Sequence, residues 1–145
     1  MRVFNLISAN LDIVNYKAKV IPIKLKNTKI AGNRAEDFAA QHLIDSGYII
    51  VHRNWRYYRF ELDIIATKGT TICFIEVKYR SNEGAIKATS AIKPQQEKRI
   101  MAAANAYIQA NEVDLEVRFD VIAVSDQKNE LLLTHIKNAF SPTLD

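Results

Sequence analysis

The sequence predicts an α/β fold: a mixed β-sheet flanked by helices, in the order helix, three strands, helix, two strands (αβββαββ). Three features carry that prediction. One stretch repeats apolar residues at helical spacing, several short runs are β-branched or aromatic, and one such run is apolar on both sides of its pleat.

The first helix is signalled from Gly32, where Ala35, Phe38, Ala39, His42 and Leu43 follow the i, i+3, i+4, i+7, i+8 stripe. Gly47, just beyond Ser46, is its natural stop. Tyr48 to Val51 reads as a strand that runs on towards Trp55, and Phe60 to Ala66 as the next. Lys68-Gly69-Thr70 makes a tight turn into a third strand, Ile72 to Tyr79. Ile75 and Val77 face one side of that strand and Phe74 the other, which predicts a central strand covered on both faces. After a loop around Ser81 to Gly84, Pro94 suits the start of a second helix. Ile100, Ala103, Ala104, Tyr107 and Ile108 form its apolar face, and Phe119 to Val124 and Leu131 to Ile136 close the chain as strands.

Composition narrows the class. The 145 residues fit one domain, and 48% hydrophobic with 25% charged is the balance of an ordinary globular protein. Uncharged stretches such as Met101 to Asn111 are too short and polar to span a bilayer, so no membrane partner is expected. Asn5, Asn10 and Asp12 interrupt the apolar start, and no export signal is expected. A single cysteine, Cys73, leaves no internal disulfide, which points to the reducing cytoplasm.

The net charge of +4 is unevenly spread. Residues 1–29 hold six basic groups (Arg2, Lys17, Lys19, Lys24, Lys26, Lys29) against Asp12, a net of +5; residues 30–145 hold 14 basic and 15 acidic groups, a net of −1. The chain therefore divides into a basic N-terminal extension, 1–29, and a near-neutral domain, 30–145. Such a tail either attracts polyanions by counterion release or is simply a solvated end.

The chemistry sits on the middle strands. Glu61-Leu62-Asp63 puts two carboxylates on one side of a strand, and Glu76-Val77-Lys78 puts a carboxylate and an amine on one side of the next. If the Gly69 turn makes a hairpin, Asp63 and Glu76 become neighbours. Unpaired burial of acids costs several kcal/mol, and close like charges force one to protonate. A hard divalent cation such as Mg²⁺ or Mn²⁺ removes that conflict. A water on that ion can hydrolyse a phosphodiester, with Lys78 orienting or deprotonating it or neutralising phosphate charge. The competing view is a solvent-facing sheet side, whose charge pairs are worth ~0.2–1 kcal/mol each. Glu36 lies about 20° from Leu43 around the helix, so it faces the sheet or serves as a first-turn acid.

Taken in order, Ala35-Glu36, Gly47-Tyr48, Arg53-Asn54-Trp55-Arg56 and Glu61-Leu62-Asp63-Ile64-Ile65-Ala66 form a recognisable series. Phe74-Ile75-Glu76-Val77-Lys78-Tyr79-Arg80, Gly84, Lys93 and Arg118-Phe119-Asp120-Val121 extend it. Over roughly residues 30–140 this resembles the YraN-like family of restriction-endonuclease-like proteins, similar to the PD-(D/E)XK nucleases and archaeal Holliday-junction resolvases. The resemblance implies a restriction-endonuclease-like sheet and a metal-dependent endonuclease domain over 30–145. It also implies Asp63 and Glu76 as ligands of Mg²⁺ or Mn²⁺, Lys78 as the catalytic lysine and Glu36 as an accessory acid. The carbonyl of Val77 would be a further ligand. Phe60 departs from the family, which usually carries glycine before Glu-x-Asp, and its ring narrows the approach. Resolvase-like relatives are dimers, so a homodimer is an open option.

Between Arg53 and Phe60, aromatic and basic groups interleave in a way that suits base stacking and phosphate pairing. Trp55 is better read as core, while Arg56, Arg59 and Lys93 are candidate nucleic-acid contacts. Gln95 shares the second helix start with Lys93. His42, His52 and His135 show no zinc spacing and read as structural; Cys73 reads as a small buried hydrophobe, and Asp120 as a local partner of Arg118. The expected activity is Mg²⁺-dependent hydrolysis of DNA, with branched or damaged structures as the substrate class and RNA left open. The alternative is a non-catalytic nucleic-acid-binding or adaptor module on the same fold.

Overall fold

The computed structural model describes residues 12–19, 28–81, 92–127 and 130–142. Strands β2 (Ile49–Tyr57), β3 (Phe60–Lys68), β4 (Thr71–Ser81), β5 (Glu116–Gln127) and β6 (Glu130–Phe140) form a mixed sheet. Helix α1 (Thr28–Asp45) precedes β2, and α2 (Pro94–Ala110) connects β4 to β5. The sheet is antiparallel except between β4 and β5, where the α2 crossover returns the chain parallel.

The order αβββαββ is corrected at its start. A strand, β1 (Asp12–Lys19), lies before α1 and pairs antiparallel with β6 from Asp12↔Lys137 to Lys19↔Glu130. The order is βαβββαββ, and the sheet runs β1-β6-β5-β4-β3-β2. Part of the basic extension is thus sheet, and its partner is an edge far along the chain that local patterning does not reveal. Helix α1 also starts at Thr28 rather than Gly32. The expectations on residues 1–11, 20–27 and 82–91, including the loop at Gly84, lie outside the described residues.

Helix α1 stops as its sequence predicts. Gly47 takes φ +88°, the Gly47 N–H donates to the Ile44 carbonyl at 3.0 Å, and the Tyr48 N–H donates to the Leu43 carbonyl at 2.9 Å. That reversal needs a left-handed residue, which glycine adopts without penalty. It turns Tyr48 inward beneath the helix, where it is 4% exposed.

Each helix covers one face of the sheet. Ala35, Ala39, Ala40 and Leu43 of α1 pack on Ile64, Ala66, Cys73, Ile75, Ile122 and Val124. Ile100, Ala103, Ala104, Tyr107 and Ile108 of α2 pack on Leu62, Ile65, Ile72, Phe74 and Phe119. β4 is therefore covered on both sides, as its two-sided apolar pattern predicts, and Cys73 is a buried free thiol. The leucine, isoleucine and phenylalanine side chains among them stabilise by about 1.5–3 kcal/mol each on full burial. No helix among the described residues is long and apolar enough to cross a membrane.

Candidate active site

The site grows out of a break in strand pairing. β3 and β4 pair from Lys68↔Thr71, beside Gly69 at φ +57°, to Ile64↔Ile75, where the ladder ends. One rung further would set Asp63 opposite Glu76. Instead, the Val77 N–H donates to Asp63 Oδ2 at 2.8 Å. Pairing to β2 skips the same position: Arg53 faces Ile64 and Trp55 faces Leu62, with Asn54 between them at φ +51°. The strands splay here, and the carboxylate takes a backbone donor in place of a ladder partner.

Two acids meet at this break. Burial first, then the neighbouring Glu76 carboxylate, push the Asp63 pKa up to about 8, against the pull of the Val77 N–H. A side-chain hydrogen bond joins Asp63 to Glu76. Glu76 Oε1 receives Lys78 Nζ at 3.1 Å and Gln96 Nε2 at 2.7 Å. The Glu76 and Lys78 side chains are 12% and 18% exposed, so this pair is weakly screened by solvent.

A cleft of about 430 Å³ opens over the acids, lined by Arg59, Phe60, Glu61, Asp63, Glu76, Lys93, Gln95, Gln96, Arg99 and Ile100. The structure therefore gathers Asp63, Glu76 and Lys78, and brings Arg59 and Lys93 to the same cleft. Phe60 does form part of the wall, with the Arg59 guanidinium 5.5 Å from its ring centre. Glu36 approaches from the other helix. Its Oε2 lies 4.0 Å from Arg53 Nη2, it bonds Asn54, and its charge adds to the rise at Asp63. Burial raises its own pKa, with Asn54 and Arg53 opposing. Arg56 is not in the cleft lining; it pairs with Glu61 at 3.6 Å on the open surface. At Val77 the structure gives the N–H to Asp63.

Sequence reasoning missed Gln96 and Arg99. The signal for Gln96 is positional: it falls on the stripe of Ile100, Ala103 and Tyr107, where a polar group must find a buried partner. Arg99 carries no comparable mark, since its neighbour Lys98 is equally basic.

The donor set suits a hard cation. Two carboxylates side by side, with the Asp63 pKa pushed up by burial and then by Glu76, match an ion that takes one or two carboxylates and completes its shell with waters and phosphate oxygens. Among the described residues, no three His, Cys, Asp or Glu side chains gather into a metal cluster, so the candidate set is this pair.

Uncharacterised protein family UPF0102 matches residues 35–124, a span that includes Glu36, Asp63, Glu76, Lys78 and Asp120. A UPF0102 protein of Bacteroides thetaiotaomicron is 41% identical over 113 residues, covering 78% of this chain and 93% of that protein. One from Flavobacterium psychrophilum is 36% identical over 109 residues, covering 75% and 92%. Pyrococcus furiosus SfsA, solved in complex with Ca²⁺, has a TM-score of 0.31 and 15% identity, covering 77% of this chain and 64% of that one. At that score the likeness carries no weight for fold or function. The matched span and these relatives show that the chain belongs to uncharacterised protein family UPF0102.

Proposed function

We propose that this chain is a Mg²⁺- or Mn²⁺-dependent endonuclease acting on DNA, with a fold akin to the restriction endonucleases. The observation that carries it is the meeting of Asp63 and Glu76 at the splayed end of the β3–β4 ladder, inside a cleft rimmed by Arg59, Lys93 and Arg99. A fold maintained for packing alone gains nothing from two facing acids. A non-catalytic binding module would need the basic rim but not the acid pair. The resemblance to YraN-like and PD-(D/E)XK proteins agrees with the same residues.

Asp63, Glu76 and the Val77 carbonyl would hold the ion, which when bound neutralises phosphate charge and acidifies a water. Lys78, 3.1 Å from Glu76, neutralises charge developing on the phosphate oxygens or accepts a proton from the attacking water. The water oxygen bonds to phosphorus as the P–O ester bond breaks, and the leaving oxygen takes a proton from solvent. Arg59, Lys93 and Arg99 hold flanking phosphates, which fixes the strand without reading its sequence.

The test is cleavage of labelled linear duplex, single-stranded, flap and four-way DNAs with Mg²⁺ or Mn²⁺. Wild type cuts at least one of them. Asp63→Asn abolishes cutting and Mn²⁺ binding by calorimetry, and Lys78→Ala slows cutting ~10²-fold or more with metal binding kept. Equal Mn²⁺ affinity in wild type and Asp63→Asn would move the metal elsewhere.

A further inference from the structure

The turn between β2 and β3 holds a residue that stability does not explain. Tyr57 and Phe60 form the last rung of the hairpin, and Tyr58-Arg59 is its two-residue loop. Tyr58 sits at φ +52°, a position where such loops favour glycine, asparagine or aspartate. An aromatic residue is strained there, and this one gains no burial in return: Tyr58 is 88% exposed.

The ring is nevertheless held in place. Tyr58 meets Tyr57 edge to face at 4.7 Å, and Tyr57 stacks parallel to Trp55, 6.2 Å between centres and 2° apart. Trp55 in turn is locked edge-on against buried Tyr107 at 5.2 Å. This ladder of rings runs from the core to the tip, so the tip reaches solvent with little freedom left to lose on binding. Arg59 and Phe60, the next two residues, already line the cleft of Asp63 and Glu76. Strand β3 then carries the chain from Phe60 to Asp63, three residues on, over roughly 10 Å.

We propose that Tyr58 is a stacking platform for an unpaired base of branched or frayed DNA whose backbone passes through the Asp63–Glu76 cleft. This rests on the nuclease reading above and specifies its substrate class. An exposed ring adjoining Arg59, which lines the cleft together with Lys93 and Arg99, is complementary to a nucleotide: the ring meets the base face and the cations meet the phosphates. A closed duplex offers the tip no free base face along its length, so the platform favours DNA in which a strand has left the helix.

The experiment measures affinity in Ca²⁺ for a splayed-arm DNA and a fully paired duplex of the same sequence, with 2-aminopurine on the single-stranded side of the junction. Wild type prefers the splayed DNA, and its binding changes the 2-aminopurine emission. Tyr58→Gly lowers that preference ~5- to 150-fold, the range that base–aromatic stacking spans, while its melting temperature holds or rises because glycine relieves the φ strain. Tyr58→Ser gives the same loss of preference, and Tyr58→Trp retains it. An unchanged preference in Tyr58→Gly overturns the platform and leaves the nuclease standing, as does equal wild-type affinity for the two DNAs. Wild type that binds neither DNA overturns both.

Discussion

Asp120 and Asp63 are carboxylates set in the same sheet, and their surroundings drive them in opposite directions. Asp120 is fully buried yet its pKa is lowered: against the cost of burial, His135 and Arg118 hold it ionised. His135 Nε2 lies 2.7 Å from Oδ2, Arg118 Nε and Nη2 reach Oδ1 and Oδ2 at 2.8 Å each, and the Asn138 N–H donates to Oδ1 at 3.0 Å. The network continues from Arg118 to the Tyr48 hydroxyl at 2.6 Å and from His135 to His42 at 3.3 Å. Asp63 receives one backbone donor and faces another acid, so its pKa rises to about 8. The contrast teaches that burial alone does not decide protonation. Asp120 has its cation, Arg118, beside it inside the protein, whereas the side chain that meets Asp63 is a second acid.

The largest expected effect is on stability, and it separates the two acids. Asp120→Ala strands Arg118 in the interior and costs about 3–5 kcal/mol, read as a fall in denaturant midpoint at constant slope. Asp63→Asn removes a repulsive buried charge and leaves the midpoint unchanged or higher at pH 8. Loss of stability in both variants to the same extent would erase the distinction.

The next effect is pH dependence. Burial, then His135, lowers the His42 pKa to about 4, well below its ordinary 6.5. Between those values the unfolded chain binds the proton and the folded chain does not, so stability is full above pH ~6.5 and falls by ~3 kcal/mol as the pH drops to ~4. Asp63 has the opposite sign: its folded pKa lies above the unfolded one, so its contribution is present at low pH and is lost as the pH rises through about 8. Melts of Asp63→Asn from pH 7.5 to 4 therefore show a steeper acid loss than wild type. His42→Leu in that background flattens it.

The smallest effect concerns a helix end. Glu112 occupies the left-handed position after α2 at φ +50°, with the Val113 N–H donating to the Ile108 carbonyl at 3.0 Å, the place Gly47 fills after α1. Glu112→Gly stabilises by ~0.5–1 kcal/mol, a rise of a few degrees in melting temperature, because the exposed acid gives up strain without losing burial.

Much of this was legible in the residues, for identifiable reasons. The stripe from Ala35 to Leu43 and the two-sided pattern around Phe74 are local, and they predicted the two helix-covered faces. The Gly69 turn tied Asp63 to Glu76, and Arg118 two residues before Asp120 announced a local pair. Contacts made across long stretches were not legible. His42 and His135 lie 93 residues apart, and no spacing rule joins them. The pairing break at Asp63 depends on where two ladders stop, which is a property of the sheet rather than of any motif.

The pairing of β1 with β6 has a consequence for how the chain is made. β1 leaves the ribosome before every other strand described here, and its partner leaves last. Until Glu130–Phe140 has emerged, β5 and β1 both present open edges with no ladder to join. Joining Lys19 to Glu130 closes a long loop and is slow, so β1 is the last strand to add to the sheet. A chain that stalls after β5 therefore exposes unpaired edges on which a neighbouring nascent chain can add a strand, making the last eleven-residue strand a checkpoint in biosynthesis.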